Sequence, residues 1–213
     1  MKELLLVNAN VNRKGSRTQR LTKAFLRELA KREEFHTTEL LLESMHLAPL
    51  SSSSLNRRYA LIDAGDTEAD EFALARQWRE ADIIVISTPL WLFTYPARLK
   101  AYLEAVDVIG VAYDFNEDGS TTSYCHAQDL YYITTAGGPL AFGPAGESPF
   151  ARPDGELNLG FKTIEAFAGV ECHVPNVRCI AVENLDIVPD AGPGIISRAI
   201  DALPALMDSW EQD

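Results

Sequence analysis

Cysteine is scarce in this chain of 213 residues, and the little there is follows no pattern. Cys125, Cys172 and Cys179 make an odd set without a Cys-x-x-Cys pair, which excludes a disulfide framework and a thiolate zinc site. Reduced, packed thiols are expected. Basic residues are also in short supply: 19 Lys and Arg against 31 Asp and Glu give a formal charge of −12. Such a chain lacks the basic face that nucleic-acid phosphates or an anionic membrane surface require. No apolar run approaches the roughly 20 residues that span a bilayer. Leu4–Val7 is too short for the apolar part of a signal peptide, so a cytoplasmic location is expected. Missing too are Gly-x-x-x-x-Gly-Lys-Ser/Thr and Gly-x-Gly-x-x-Gly, which argues against a P-loop nucleotide enzyme and a dinucleotide-binding Rossmann site. His36, His46, His126 and His173 stand in no ligand spacing and are expected to be structural or exposed.

What is present reads as one α/β domain over residues 1–213. Apolar and charged fractions of 46% and 23% suit a soluble globular chain. Strands are expected at Leu4–Asn8, His36–Leu42, Ile83–Ile86, Leu130–Thr135 and Val170–Val182. Helices are expected at Thr18–Lys31, Glu68–Glu80, Leu157–Ala168 and Gly194–Trp210, with a further one around Leu99–Val106 and an interruption or bend near Pro204. Residues 49–66, with four consecutive serines, read as an irregular excursion. Asn116-Glu117-Asp118-Gly119 reads as the turn of a hairpin over Tyr113–Tyr124. The acid-rich stretch Glu68–Glu80 and the acidic tail read as solvated faces. Alternating strands and helices predict a doubly wound parallel five-stranded sheet, with helices on both faces and a β-hairpin excursion.

In such a sheet the strand carboxyl ends share one edge, where ligands bind. Three loops should meet there. The first, Asn8 to Thr18, contains Gly15 for a turn and Ser16 as an N-cap, followed by Arg17 and Thr18. A helix amino terminus carries about +0.5 of an elementary charge and binds phosphate readily. Arg13, Lys14 and Arg17 add positive charge to an acidic protein. The second loop, Pro89-Leu90-Trp91-Leu92-Phe93, is stiffened by proline and offers backbone polar groups among apolar side chains, which suits a flat ligand with polar edges. The third, Thr134 to Pro139, has Gly137 and Gly138, where backbone can approach a ligand closely. A monophosphate of mononucleotide size fits this set; its identity does not follow from the loops.

With these motifs the chain resembles the flavodoxin-like FMN-dependent NADH-azoreductases, relatives of the NAD(P)H:quinone oxidoreductases. The resemblance runs from Leu4 to about Val188. It rests on Ser16-Arg17-Thr18 against the family's Ser-x-Ser/Thr, and on Pro89-Leu90-Trp91-Leu92-Phe93 with Leu99-Lys100 against Pro-Met-Tyr-Asn-Phe with Leu-Lys. It rests also on Tyr113 to Gly119 against a Phe-x-x-x-x-x-Gly hairpin, and on Thr135-Ala136-Gly137-Gly138 against Ser-Arg-Gly-Gly. The resemblance implies a flavodoxin-like fold and FMN, with Ser16, Arg17, Thr18 and Asn10 at the phosphate. It implies Pro89, Leu90, Trp91, Leu92 and Phe93 beside the isoalloxazine, and Thr135, Ala136, Gly137 and Gly138 over its pyrimidine end. It further implies ping-pong hydride transfer from NAD(P)H through flavin N5 to a quinone or azo compound, with no obligatory protein acid or base. Family members are homodimers, an arrangement that exposed Trp91, Phe93, Tyr113 and Phe115 would suit. Leu92 replaces an asparagine and Ala136 an arginine, departures that touch azo reduction more than FMN. A flavodoxin-like electron carrier or regulatory flavin protein, and an interaction module without cofactor, remain the alternative readings.

Overall fold

The computed structural model describes residues 1–11, 14–143, 146–188 and 190–211. Five strands pair in parallel: β1 (Lys2–Asn8), β2 (Phe35–Leu41), β3 (Ile83–Pro89), and two that follow a short hairpin. The hairpin comprises β4 (Tyr113–Phe115) and β5 (Thr121–Ser123), antiparallel about a turn in which Gly119 has φ +83°. β6 (Asp129–Thr135) and β7 (Asn176–Val182) complete the sheet, whose order is β2-β1-β3-β6-β7. After β1 the chain winds to one side and then crosses back to the other, so the loops leaving β1 and β3 diverge. That divergence opens a crevice between them.

The five strands fill with Leu, Ile, Val and Tyr because the central ones are covered on both faces. Side chains alternate across the sheet. Leu4, Leu6, Ile83, Val85, Tyr131 and Ile133 meet α1 (Arg17–Leu29) and α6 (Gly192–Trp210) on one face. Leu5, Val7, Ile84, Ile86 and Tyr132 meet α3 (Ala73–Glu80), α4 (Ala97–Val106) and α5 (Leu159–Glu165) on the other. The register sets the functional edge: Asn8 lies opposite Ser87, and Pro89 opposite Thr135.

Several expectations change. The region 49–66 is not irregular; it contains α2 (Ser52–Asp63). Ser51 caps it by accepting the Ser54 N–H, while the Ser54 hydroxyl accepts the Ser51 N–H. This capping box uses Ser in place of the usual Glu or Gln, so the serine run reads as loop. The fifth strand begins at Asn176, not Val170, because Ala166–Glu171 extends α5 as a π-helical turn. Pro175, which cannot donate to a ladder, marks that boundary. The helix expected over Glu68–Glu80 starts as a 3-10 turn at Asp70–Phe72 before α3. The closing helix begins at Gly192 and continues through Pro204 without interruption. Tyr113 is buried, not exposed, and its hydroxyl donates to Asp107 at 2.8 Å.

Candidate functional site

The carboxyl edge of β1, β3 and β6 carries a cleft of about 240 Å³ lined by residues from all three loops. Val11, Lys14, Gly15, Ser16, Arg17 and Thr18 come from the first, Pro89 and Trp91 from the second, and Thr135 from the third. Asn10 closes its floor. Arg13, expected beside them, lies outside the described residues.

A buried polar network holds the first loop. The Asn10 amide donates to Asn8 Oδ1 and Ser87 Oγ, both at 2.8 Å, and its Oδ1 accepts the Ser16 hydroxyl at 3.1 Å. Thr22 and Ser87 share a hydroxyl contact of 2.7 Å, and Thr18 and Thr135 one of 2.6 Å across from α1 to β6. Asn10 therefore positions the loop, with both amide hydrogens already spent inside the protein. Ser16 Oγ accepts the Gln19 N–H and Ser16 O the Arg20 N–H. The N–H groups of Arg17 and Thr18, one turn too early for an intrahelical acceptor, are the donors the helix presents at this end.

The Arg17 guanidinium is engaged elsewhere. It donates to Asp186 Oδ1 and Oδ2 at 2.7 and 3.2 Å and to Leu185 O at 3.1 Å. The guanidinium holds the Asp186 carboxyl below its ordinary range. Asp186 belongs to a fourth loop, after β7, that seals the third: its N–H donates to Gly137 O, and those of Leu185 and Asn184 to Ala136 O and Gly138 O. A Cβ at Gly137 would collide with the Asp186 carboxylate, so any larger residue there would push that side chain off Arg17. Ala136 is buried and faces the core; an arginine does not fit its place without moving the side chain out. Sequence reasoning misses Asp186. By the strand-end logic used for the other three loops, Glu183-Asn184-Leu185-Asp186 is a fourth member of the same edge.

The second loop is a tight turn. Trp91 and Thr94 exchange backbone hydrogen bonds, with Leu92 at φ +50° and Phe93 at φ +64°. Two consecutive positive φ values define a type I′ turn, whose first central position favours Asn, Asp or Gly. Leu92 points outward, 93% exposed, and Phe93 and Trp91 are half-exposed at the rim. Gly160 of α5 donates to Phe93 O, and a Cβ there would run into the Tyr132 hydroxyl, so α5 closes up under the turn. Left-handed leucine costs about 1–2 kcal/mol. Leu92→Asn is therefore expected to stabilise the protein by about 0.5–1 kcal/mol, seen as a melting temperature higher by roughly 1–4 °C. No gain would mean that the turn relaxes.

A larger cavity of about 740 Å³ lies on the far side of the third loop, between Pro139, Phe142, Phe150, Ile187 and Ile195. Among the described residues its lining includes none from the first or second loop. All four histidines are exposed, and the described residues hold no cluster of metal-ligating side chains.

A family model described as flavodoxin-like fold matches residues 2–206. The chain belongs to this flavodoxin-like family. Among relatives of this flavodoxin-like protein is the FMN-dependent NADH:quinone oxidoreductase of Clostridium perfringens (strain ATCC 13124). It is 26% identical over 192 residues, covering 88% of this chain and 89% of that one. The protein of the same name from Coprothermobacter proteolyticus is 29% identical over 207 residues, 95% of each chain. The structure of an azoreductase from Bacillus anthracis superposes with a TM-score of 0.80 at 20% identity, covering 97% and 98% of the two chains. That of an FMN-dependent NADH-azoreductase from the same species in complex with FMN gives 0.77 at 14% identity over 99% of each. At such identities these structures speak for the fold.

Proposed function

We propose that this protein is an FMN-dependent oxidoreductase carrying hydride from NAD(P)H to quinone or azo acceptors by alternating reduction and reoxidation. The observation that carries the reading is the cleft where the α1 amino terminus, the Trp91–Thr94 turn and Thr135 meet. Nearly full-length relatives named FMN-dependent NADH:quinone oxidoreductases support it.

The residues fit the cofactor. The N–H groups of Arg17 and Thr18, the one hydroxyl hydrogen that the Thr18–Thr135 pair leaves free, and Lys14 would hold the phosphate, while Ser16, whose hydroxyl hydrogen goes to Asn10, caps the helix beside it. Asn10 acts on it through Ser16. Pro89, Leu90, Trp91, Leu92 and Phe93 would flank the ring with backbone groups, and Ala136, Gly137 and Gly138 would cover its polar end. Bound FMN supplies the two-electron centre. The described lining carries Lys14 and Arg17 and no carboxylate or imidazole, and the role proposed for these side chains is to bind, orient and exclude water.

At about 240 Å³ the cleft is smaller than the 300–1,000 Å³ usual for a ligand of this kind. It accommodates phosphate and sugar chain, leaving the ring at the rim beside exposed Trp91 and Phe93. A second copy of the chain would cover that ring, making the working form a homodimer. Three free cysteines and the absence, among the described residues, of a helix long and apolar enough to cross a membrane agree with a cytoplasmic enzyme.

Anaerobic mixing of the FMN-loaded protein with NADH, followed by a quinone, tests the function. The visible flavin band is expected to bleach and then return. A flavin band that NADH and NADPH leave unchanged would overturn the reductase reading in favour of a carrier.

A further inference from the structure

At the opposite edge of the sheet, the segments that lead into β6 and β7 bring two cysteines together. Ser123 joins their backbones: its Oγ accepts the Cys125 N–H at 3.0 Å and donates to Cys172 O at 2.6 Å. Cys172 belongs to the buried apolar cluster that also holds Trp78, and Cys125 packs against that cluster. Cys125 Sγ also reaches Ala112 O at 3.4 Å. The π-helical turn at Ala166–Glu171, closed by Cys172 N–H donating to Phe167 O, sets Cys172 in this place.

The pair is unequal. Cys172 is buried, 2% exposed, whereas Cys125 is partly open. Cys125 also lines an open depression with Arg79, Gly110, Ser123, Tyr124 and His126. The His126 N–H donates to Arg79 O, which keeps the Arg79 segment beside Cys125. The neighbouring Cys172 thiol, and more weakly Arg79, lower the Cys125 thiol below its usual range; its partner and burial raise that of Cys172.

A second observation points to an anion at this place. Trp78 is fully buried, and its indole Nε1–H has no hydrogen-bond partner, sulfur included. It shares its apolar cluster with Cys172, and the partly buried Cys125 packs against that cluster. A buried donor left without a partner is costly, and a thiolate would satisfy it.

We infer that Cys125 and Cys172 form a peroxide-sensitive dithiol, with Cys125 the attacking thiolate and Cys172 the resolving thiol. The Cys125 thiolate attacks one oxygen of a hydroperoxide; the S–O bond forms, the O–O bond breaks, and the leaving oxygen departs protonated as alcohol or water. The Cys172 sulfur then attacks the Cys125 sulfenic acid, the S–S bond forms, and the hydroxyl leaves as water with the Cys172 proton. The dithiol gives up two electrons and the hydroperoxide is reduced by two. This site is remote from the cleft and stands independently of the proposed function.

The test treats the reduced full-length protein with hydrogen peroxide, followed by intact-mass and peptide analysis. The mass is expected to fall by two hydrogens, reversibly with dithiothreitol, with Cys125 and Cys172 in one cross-linked peptide and Cys179 unmodified. Cys172→Ser is expected to halt at a sulfenic acid on Cys125 that a dimedone probe captures. Trp78→Phe, its fold checked by circular dichroism, is expected to slow oxidation about three- to tenfold without changing the product. Oxidation no faster than that of free cysteine would overturn the assignment. So would stepwise oxygen addition without a cross-link, or a disulfide between two chains.

Discussion

Ser16→Asp is expected to weaken FMN binding about 100-fold, or roughly 2.7 kcal/mol, and to lower the melting temperature of the FMN-free protein by about 2–5 °C. Aspartate caps a helix as well as serine does, so the Gln19 N–H keeps an acceptor, and the modest loss of stability comes from Asn10 Oδ1, which loses its hydroxyl donor. The charge, however, then sits where the phosphate belongs. At about 4 Å and an effective dielectric of about 20, like charges repel by about 4 kcal/mol. Salt and open solvent remove part of that. Fluorescence titration with FMN reads the affinity, and thermal unfolding reads the fold. An affinity within threefold of the parent protein would move the phosphate away from α1.

Asn10→Ala has the largest expected effect on stability. The side chain is buried, and its amide joins Asn8, Ser87 and Ser16, so removal strips a donor from β1 and another from β3 and frees the N-cap serine. Loss of linked hydrogen bonds in a water-free place costs about 2–4 kcal/mol. For a chain of this size that is a melting temperature lower by roughly 5–15 °C. Flavin affinity is expected to fall as well, although Asn10 spends both amide hydrogens within the protein, because Ser16 loses its anchor. An unchanged melting temperature would show that the strands hold the loop without this amide.

How far these features could be read from the amino-acid sequence depends on how local their causes are. The Ile83–Ile86 run, the Asn116–Gly119 turn and the Ser16 cap are each written in a few adjacent residues, and each is found where expected. The meeting of the three loops follows from strand order alone. What escapes reading depends on partners distant in sequence. Arg17 looks like a free cation until Asp186, 169 residues away, is seen to hold it. Gly137 looks like a site for ligand approach, and it also makes room for that carboxylate. Asn10 looks like a phosphate ligand until Asn8 and Ser87 are seen to occupy its amide. Tyr113 looks exposed until Asp107 is placed beside it. The helix at Ser52–Asp63 is a different case, since its cap is local and only its unusual serine partner hides it.

The same geometry makes loop strain part of the account. Leu92 and Phe93 are held left-handed by Gly160 below and by the Trp91–Thr94 bonds across the turn. Strain of this kind persists where the surroundings impose it, and it clusters at ligand sites. Here it fixes the backbone of the loop at the rim of the cleft, whichever side chain points to solvent.

On the proposed function, a phosphate anchored on the first turn of α1 organises the site. Parallel titrations of the protein with FMN and with riboflavin test it most directly, since the two differ by the phosphate alone. FMN is expected to bind at least about 100-fold more tightly, in keeping with charge-assisted bonds to helix-end donors, with a difference that shrinks as salt rises. Equal affinities for the two flavins would contradict the account.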